Sequence, residues 1–117
     1  MPRQLTVYIL TNHSQCYYVG VTNNLHRRWT QHRTGVGSKH CKKFRITRLV
    51  FAEVHGTPMA AIRREKQVKR WSRAMKRELI ASMNPGGVDL AVQWGWKVRP
   101  ESSVVLGARF VPKVEVG

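Results

Sequence analysis

Leu5-Thr6-Val7-Tyr8-Ile9-Leu10-Thr11, then Asn12-His13-Ser14-Gln15, then Cys16-Tyr17-Tyr18-Val19-Gly20-Val21 is the stretch that decides the fold. Two runs rich in β-branched and aromatic residues flank a cluster of polar turn formers, which predicts a β-hairpin over 5–11 and 16–21. Thr22, Asn23 and Asn24 follow with side-chain oxygens suited to cap a helix over 25–33, and Gly35 and Gly37 mark its exit. On that helix Leu25, Arg28, Trp29 and His32 share one face, by the i, i+3, i+4, i+7 spacing. A hairpin feeding such a helix gathers Tyr8, Tyr18, Arg28 and His32 on one surface. Two phenols, a permanent cation and an imidazole are groups suited to handling a phosphodiester.

Outward from this unit, residues 35–45 read as a glycine-opened basic loop and residues 47–55 as a third strand. Thr57 and Pro58 then supply an N-cap and a first helical residue. The helical stretch they open runs to about Met83, where Pro85-Gly86-Gly87 ends it, and a break near Ser72 is the alternative that makes it two helices. Its apolar line passes through Ala61, Val68, Met75 and Leu79, with Glu65 on the same line. The expected fold class is α+β, a small three-stranded antiparallel sheet flanked by about three helices. Residues 1–90 form the expected domain. Residues 91–117, with Gln93-Trp94-Gly95-Trp96 and a short strand over 103–106, form an extended tail that partly packs and partly frays.

The charge narrows the function. The 117 residues carry 21 Lys+Arg against 6 Asp+Glu, a net +15, far beyond what solubility requires. Lysines and arginines that neutralise phosphates release condensed counterions, so a polyanion is the expected partner. Residues 1–90 hold 17 of these cations and 4 of the acids, so the basic surface belongs to the domain. Lys39, Lys42, Lys43, Arg45, Arg63 and Lys69 are the candidates for contact with a nucleic-acid backbone, the alternative being a solvated face. Cys16 and Cys41 match no zinc spacing, and no segment resembles a signal peptide or a membrane span. A cytoplasmic protein with reduced thiols and no membrane partner is expected.

So few carboxylates argue against a two-metal site, which needs several of them around ions ~4 Å apart. Glu65 is the candidate ligand, because a lone carboxylate, with phosphate oxygens and waters, is an ordinary way to hold Mg²⁺. Its alternative is an ion pair with Lys69, one helical turn on.

Taken in order, Tyr8, Tyr18-Val19-Gly20, Arg28 and His32, Glu65 within Ala61-Ile62-Arg63-Arg64-Glu65-Lys66-Gln67-Val68-Lys69-Arg70-Trp71, and Asn84-Pro85 with Asp89-Leu90 closely resemble the GIY-YIG nuclease family. The likeness is to its small single-domain bacterial branch, similar to the N-terminal nuclease domain of the excision-repair excinuclease, and spans about residues 5–90. It implies one-metal cleavage of phosphodiesters with Mg²⁺ or Mn²⁺, DNA being the expected substrate. Tyr18 then corresponds to the general base or the orienter of the attacking water, with Tyr8 beside it. His32 and a metal-bound hydroxide are alternatives for the base. Arg28 corresponds to the binder of the scissile phosphate, His32 to a proton-transfer or phosphate-contact group, Glu65 to the metal ligand, and Asn84 to a hydrogen-bonding support. Three departures stand out. The first triplet lacks its glycine, Val21 replaces a lysine of the excision-repair relatives, and Gly86-Gly87-Val88 replaces a bulkier segment.

One such site on a monomer is expected to nick one strand at a time. The second hypothesis is a basic DNA- or RNA-binding protein on the same fold with weak or lost nuclease activity. Repair, recombination, mobile-element and RNA roles all stay open.

Overall fold

Strand β1 (Leu5–Thr11) runs through the centre of a three-stranded sheet of order β2-β1-β3, antiparallel both to β2 (Tyr17–Thr22) and to β3 (Arg48–His55). The structure, a computed structural model, describes residues 4–34 and 39–97. Val7 to Thr11 are all buried, because a central strand covered on both faces reads as a continuous apolar run. Val7 and Ile9 enter one core and Tyr8 and Leu10 the other, following the two-residue alternation of a strand.

On the first face α3 (Pro58–Arg70) and α4 (Arg73–Met83) close over Val7, Ile9, Val19 and Phe51 with Val68 and Ile80. On the second, α1 (Leu25–Thr34), α2 (Lys39–Phe44) and α5 (Leu90–Gln93) bring Trp29, Cys41 and Leu90 onto Tyr8, Leu10 and Leu49. The expected α+β layout with its three-stranded antiparallel sheet is therefore present. A bulge pairs Ile9 with Phe51 but Leu10 with Leu49, and the extra residue, Val50, joins Phe51 in the first core.

Local chemistry sets the boundaries. Asn12 closes the hairpin loop: its Oδ1 accepts from the Cys16 amide at 2.9 Å while its Nδ2 donates to the Phe44 carbonyl at 2.7 Å, tying the loop to α2. Asn24 caps α1 by accepting from the Arg27 amide at 3.0 Å. Thr57 and Ser72 cap α3 and α4 in the same way. The long helical stretch is thus two helices. The break resets the helical phase, so Met75, expected on the apolar line, is 45% exposed, whereas Leu79, expected on the same line, packs on the core together with Ile80.

Residues 39–44, expected as loop, are helical. Their one buried anchor is Cys41, which four neighbouring polar or basic residues conceal in the sequence. The helix ends in a Schellman turn, with the Ile46 amide on the Cys41 carbonyl at 2.9 Å and Arg45 left-handed at φ 54. At the other end of the domain, Asp89 Oδ1 accepts from the Leu49 and Ala91 amides, which fastens α5 to β3. Packing continues to Trp96, whose ring lies 5.5 Å from that of Trp29. The glycine-opened turn at 35–38, the tail beyond 97 and its expected strand at 103–106 lie outside the described residues. Cys16 and Cys41 are both present as thiols. Among the described residues, no helix is long and apolar enough to cross a membrane.

Candidate active site

The hairpin register places Tyr8 opposite Gly20 and Leu10 opposite Tyr18, so both phenols project to the second face. The Tyr8 ring lies directly across Gly20. A Cβ at position 20 would stand 2.5 Å from Tyr8 Oη and 2.6 Å from the ring carbon that bears it, so glycine is what lets this phenol lie flat against the sheet. Helix α1 then covers it. Tyr8 Oη is 3.2 Å from His32 Nε2, and the Tyr18 and His32 ring centres are 5.1 Å apart.

Burial sets the protonation of this group. It pushes the Tyr8 hydroxyl above the ordinary tyrosine value, the Tyr18 hydroxyl adding to the effect and Arg28 opposing it. Burial first, and Arg28 second, push His32 down to about 4. At neutral pH the imidazole is uncharged, and Tyr8, which keeps its proton, donates to Nε2. That assignment leaves the ring proton on Nδ1. His32 Nδ1 and Arg28 Nε are both buried and make no hydrogen bond among the described residues, and the same holds for the indole nitrogen of Trp29 on this helix. Two orphaned donors beside two phenols are an unusual arrangement, since buried polar atoms are nearly always satisfied.

Glu65 approaches from α3. Its side chain is 12% exposed, and Oε2 lies 2.7 Å from Lys69 Nζ. That bond, more than anything else, raises the Lys69 pKa, and Tyr18 contributes to it, which puts the pair within electrostatic reach of Tyr18. Inward placement and ion pair are thus both realised. Lys69, expected as a backbone contact, has its ammonium on Glu65. No cluster of three or more His, Cys, Asp or Glu side chains able to hold a metal occurs among the described residues. The donor set fits only a hard cation held sparsely, by Glu65 together with phosphate oxygens and waters. A second ion-paired carboxylate among the described residues, Glu53, is bonded to Arg64 and His55 on the first face of the sheet.

Asn84 does not join the group. It is the C-cap of α4, 6% exposed, and its side chain bonds only backbone: Nδ2 to the Val50 and Val88 carbonyls, Oδ1 from the Val88 amide. It positions the segment that leads to α5. Lys42 and Arg45 do come near the site, lining a cleft of about 300 Å³ with His32, Arg33, Cys41 and Thr47. Lys39, Lys43 and Arg63 are exposed on α2 and α3. Arg33, Thr47 and the steric role of Gly20 were missed from sequence. None of them left a signal: counted back from the expected 12–15 turn, the register sets Tyr8 opposite Val19, whereas the observed five-residue loop over 12–16 sets it opposite Gly20.

The model of the GIY-YIG catalytic domain matches residues 4–78 of this chain. The chain belongs to the GIY-YIG family. Among its relatives are a UPF0213 protein of Photorhabdus laumondii, 36% identical over 66% of this chain and 74% of that one, and one of Syntrophus aciditrophicus, 38% identical over 68% and 91%. The solution NMR structure of a UPF0213 protein from Bacillus halodurans is similar with a TM-score of 0.50 and 29% identity, over 74% of this chain and 93% of that one. The GIY-YIG domain is that of a nuclease family, and the small UPF0213 proteins are its relevant branch here. Tyr8, Tyr18, Arg28, His32 and Glu65 all fall inside the matched span, whereas Asn84 lies beyond it.

Proposed function

We propose that the protein is a divalent-metal-dependent endonuclease that hydrolyses DNA phosphodiesters through this single GIY-YIG site, one strand at a time. The observation that supports it most is the pair of orphaned buried donors, Arg28 Nε and His32 Nδ1, which a phosphate oxygen would satisfy. Arg28 binds the scissile phosphate and stabilises the charge that grows on it, a role for which an always-protonated guanidinium is suited. Tyr18, half-buried where Tyr8 is enclosed, orients the attacking water through its hydroxyl oxygen. Tyr8 keeps its own proton and holds the His32 ring in place. His32, uncharged, offers its Nδ1 hydrogen to the phosphate.

Glu65 would hold one Mg²⁺ or Mn²⁺. When bound, the ion supplies Lewis-acid stabilisation of charge on the phosphate and the leaving oxygen. Lys42 and Arg45 guide the strand along the cleft beside His32, while Lys39, Lys43 and Arg63 add backbone contacts that carry no sequence information.

The Lys69 to Glu65 ion pair favours a second reading, in which the same basic fold binds DNA or RNA with weak or lost cleavage. An activity panel separates the two: plasmid, duplex, flap, nicked and single-stranded DNA, and RNA, each with Mg²⁺ or Mn²⁺. Nicking of any DNA substrate supports the enzyme. Binding throughout with cleavage of nothing supports the second reading.

A further inference from the structure

The Gln93-Trp94-Gly95-Trp96 segment takes no part in the cleavage site, yet the structure builds an edge-to-face aromatic cluster from it. The Trp96 ring centre lies 4.7 Å from His26, 5.5 Å from Trp29 and 5.1 Å from Trp94. Trp94 is 44% exposed, a large apolar surface left open near the end of the described residues. Trp96 also walls a cavity of about 460 Å³, shared with Gln4, Thr6, Asn23, Asn24, Leu25 and His26. Cavities that hold small ligands run from ~300 to ~1,000 Å³. Among the described residues the lining contains no carboxylate to repel a nucleic acid. It sets a flat indole beside two asparagine amides, a glutamine amide and a hydroxyl.

A π-face combined with amide donors and acceptors is the surface that recognises an unpaired nucleobase, which stacks on aromatic rings and presents hydrogen-bonding edges. We propose that this cavity receives one unpaired base of the bound strand, stacked on Trp96 and contacted along its edge by Gln4, Asn23 and Asn24. Trp94, its ring inclined at 60° to that of Trp96, offers a second face to a neighbouring base. The inference rests on the reading of the chain as a nucleic-acid enzyme and deepens it, since it names the substrate class: strands with an unpaired nucleotide beside the cut. His26 and His32 are six residues apart on α1, which rises ~1.5 Å per residue, so pocket and reaction centre are separated by roughly 9 Å along the helix. The base is held next to the chemistry, not inside it.

The test uses the full chain in metal-free buffer and follows the four indole N–H resonances by NMR. A short oligothymidylate is compared with an abasic strand of the same length and charge. The thymidylate is expected to move the Trp94 and Trp96 resonances and to leave Trp71, on the other face of the sheet, in place; the abasic strand is expected to leave all three in place. Trp94→Ala and Asn23→Ala, both at exposed positions, should each weaken thymidylate binding about five- to tenfold without changing abasic binding. Equal movement of Trp94 and Trp96 by both strands would show phosphate contact alone and overturn the proposal. So would tight binding with Trp94 and Trp96 unmoved, while cleavage activity would stand untouched by either result. Binding of neither strand would overturn the nucleic-acid reading itself, and the pocket with it.

Discussion

Tyr8 Oη lies 3.2 Å from His32 Nε2, with Tyr8 1% and His32 3% exposed. A strand and a helix 24 residues apart in sequence are thereby joined through a phenol and an imidazole, both uncharged at neutral pH. Burial accounts for both departures from ordinary titration, upward for Tyr8 and down to about 4 for His32. The pair organises the site. Tyr18, half-buried beside it, is left as the phenol that water can reach.

Removing the Tyr8 hydroxyl tests that joint. Tyr8→Phe keeps the ring in its core and leaves Nε2 without a donor, so it is expected to cost about 1–2 kcal/mol. Gly20→Ala drives a methyl group into the phenol and is expected to cost more, about 2–3 kcal/mol, as an overpacked core does. Urea midpoints at unchanged m-values measure both. A neutral Gly20→Ala would show that the phenol does not lie against the strand.

Acid should destabilise the fold through His32 before it does so through Glu53. Unfolded His32 takes up its proton near pH 6.5, whereas the folded ring resists until about 4. The unfolded state therefore binds more protons across that window, and stability falls as pH drops through it, by on the order of 3 kcal/mol at most. Burial would raise the Glu53 pKa, but its bonds to His55 and Arg64 outweigh burial and lower it below 4.5, so its contribution is lost only at lower pH. In His32→Asn the first loss should vanish and the second remain, as urea titrations across this pH range would show.

The Glu65 to Lys69 bond predicts competition between an ammonium and a metal ion for one carboxylate. Lys69→Met is expected to lower the Mg²⁺ or Mn²⁺ concentration for half-maximal cleavage by about two- to fivefold, the scale of a half-open ion pair. Glu65→Gln should abolish metal-dependent cleavage and leave DNA binding in place. A Lys69→Met variant with a raised KM for DNA and an unchanged metal requirement would instead make Lys69 a backbone contact.

Asn84 should reveal itself in stability. Asn84→Ala removes three hydrogen bonds from a buried cap, leaves backbone groups of Val50 and Val88 unpaired, and is expected to cost about 2–4 kcal/mol. Cleavage per folded molecule should be unchanged. A lowered kcat at unchanged stability would make Asn84 a hydrogen-bonding support of the reaction centre, as the family resemblance implies.

The hairpin, the capped α1 and the third strand were legible because each is local: turn residues, cap oxygens and strand periodicity lie within a few residues of one another. Tyr8, Tyr18, Arg28 and His32 followed from them. The basic segment at 39–44 was not legible as helix, since one buried cysteine among lysines gives no periodic signal. Met75 was misplaced for a related reason, because a single helical phase was carried across the cap at Ser72. Asn84 and Trp96 depend on contacts with β3 and α1, which sequence spacing does not contain.

In the proposed reaction Arg28 stabilises the charge formed on the scissile phosphate. Single-turnover cleavage of plasmid DNA in Mg²⁺ or Mn²⁺, with binding measured in parallel, checks this role across wild type, Arg28→Lys and Arg28→Ala. Arg28→Ala is expected to cleave at least about a hundredfold more slowly with little change in affinity, and Arg28→Lys to recover only part of the rate because a lysine cannot reproduce the planar fork. Equal cleavage by Arg28→Ala and wild type, or a wild type that binds DNA and never cuts it, would overturn the proposed reaction.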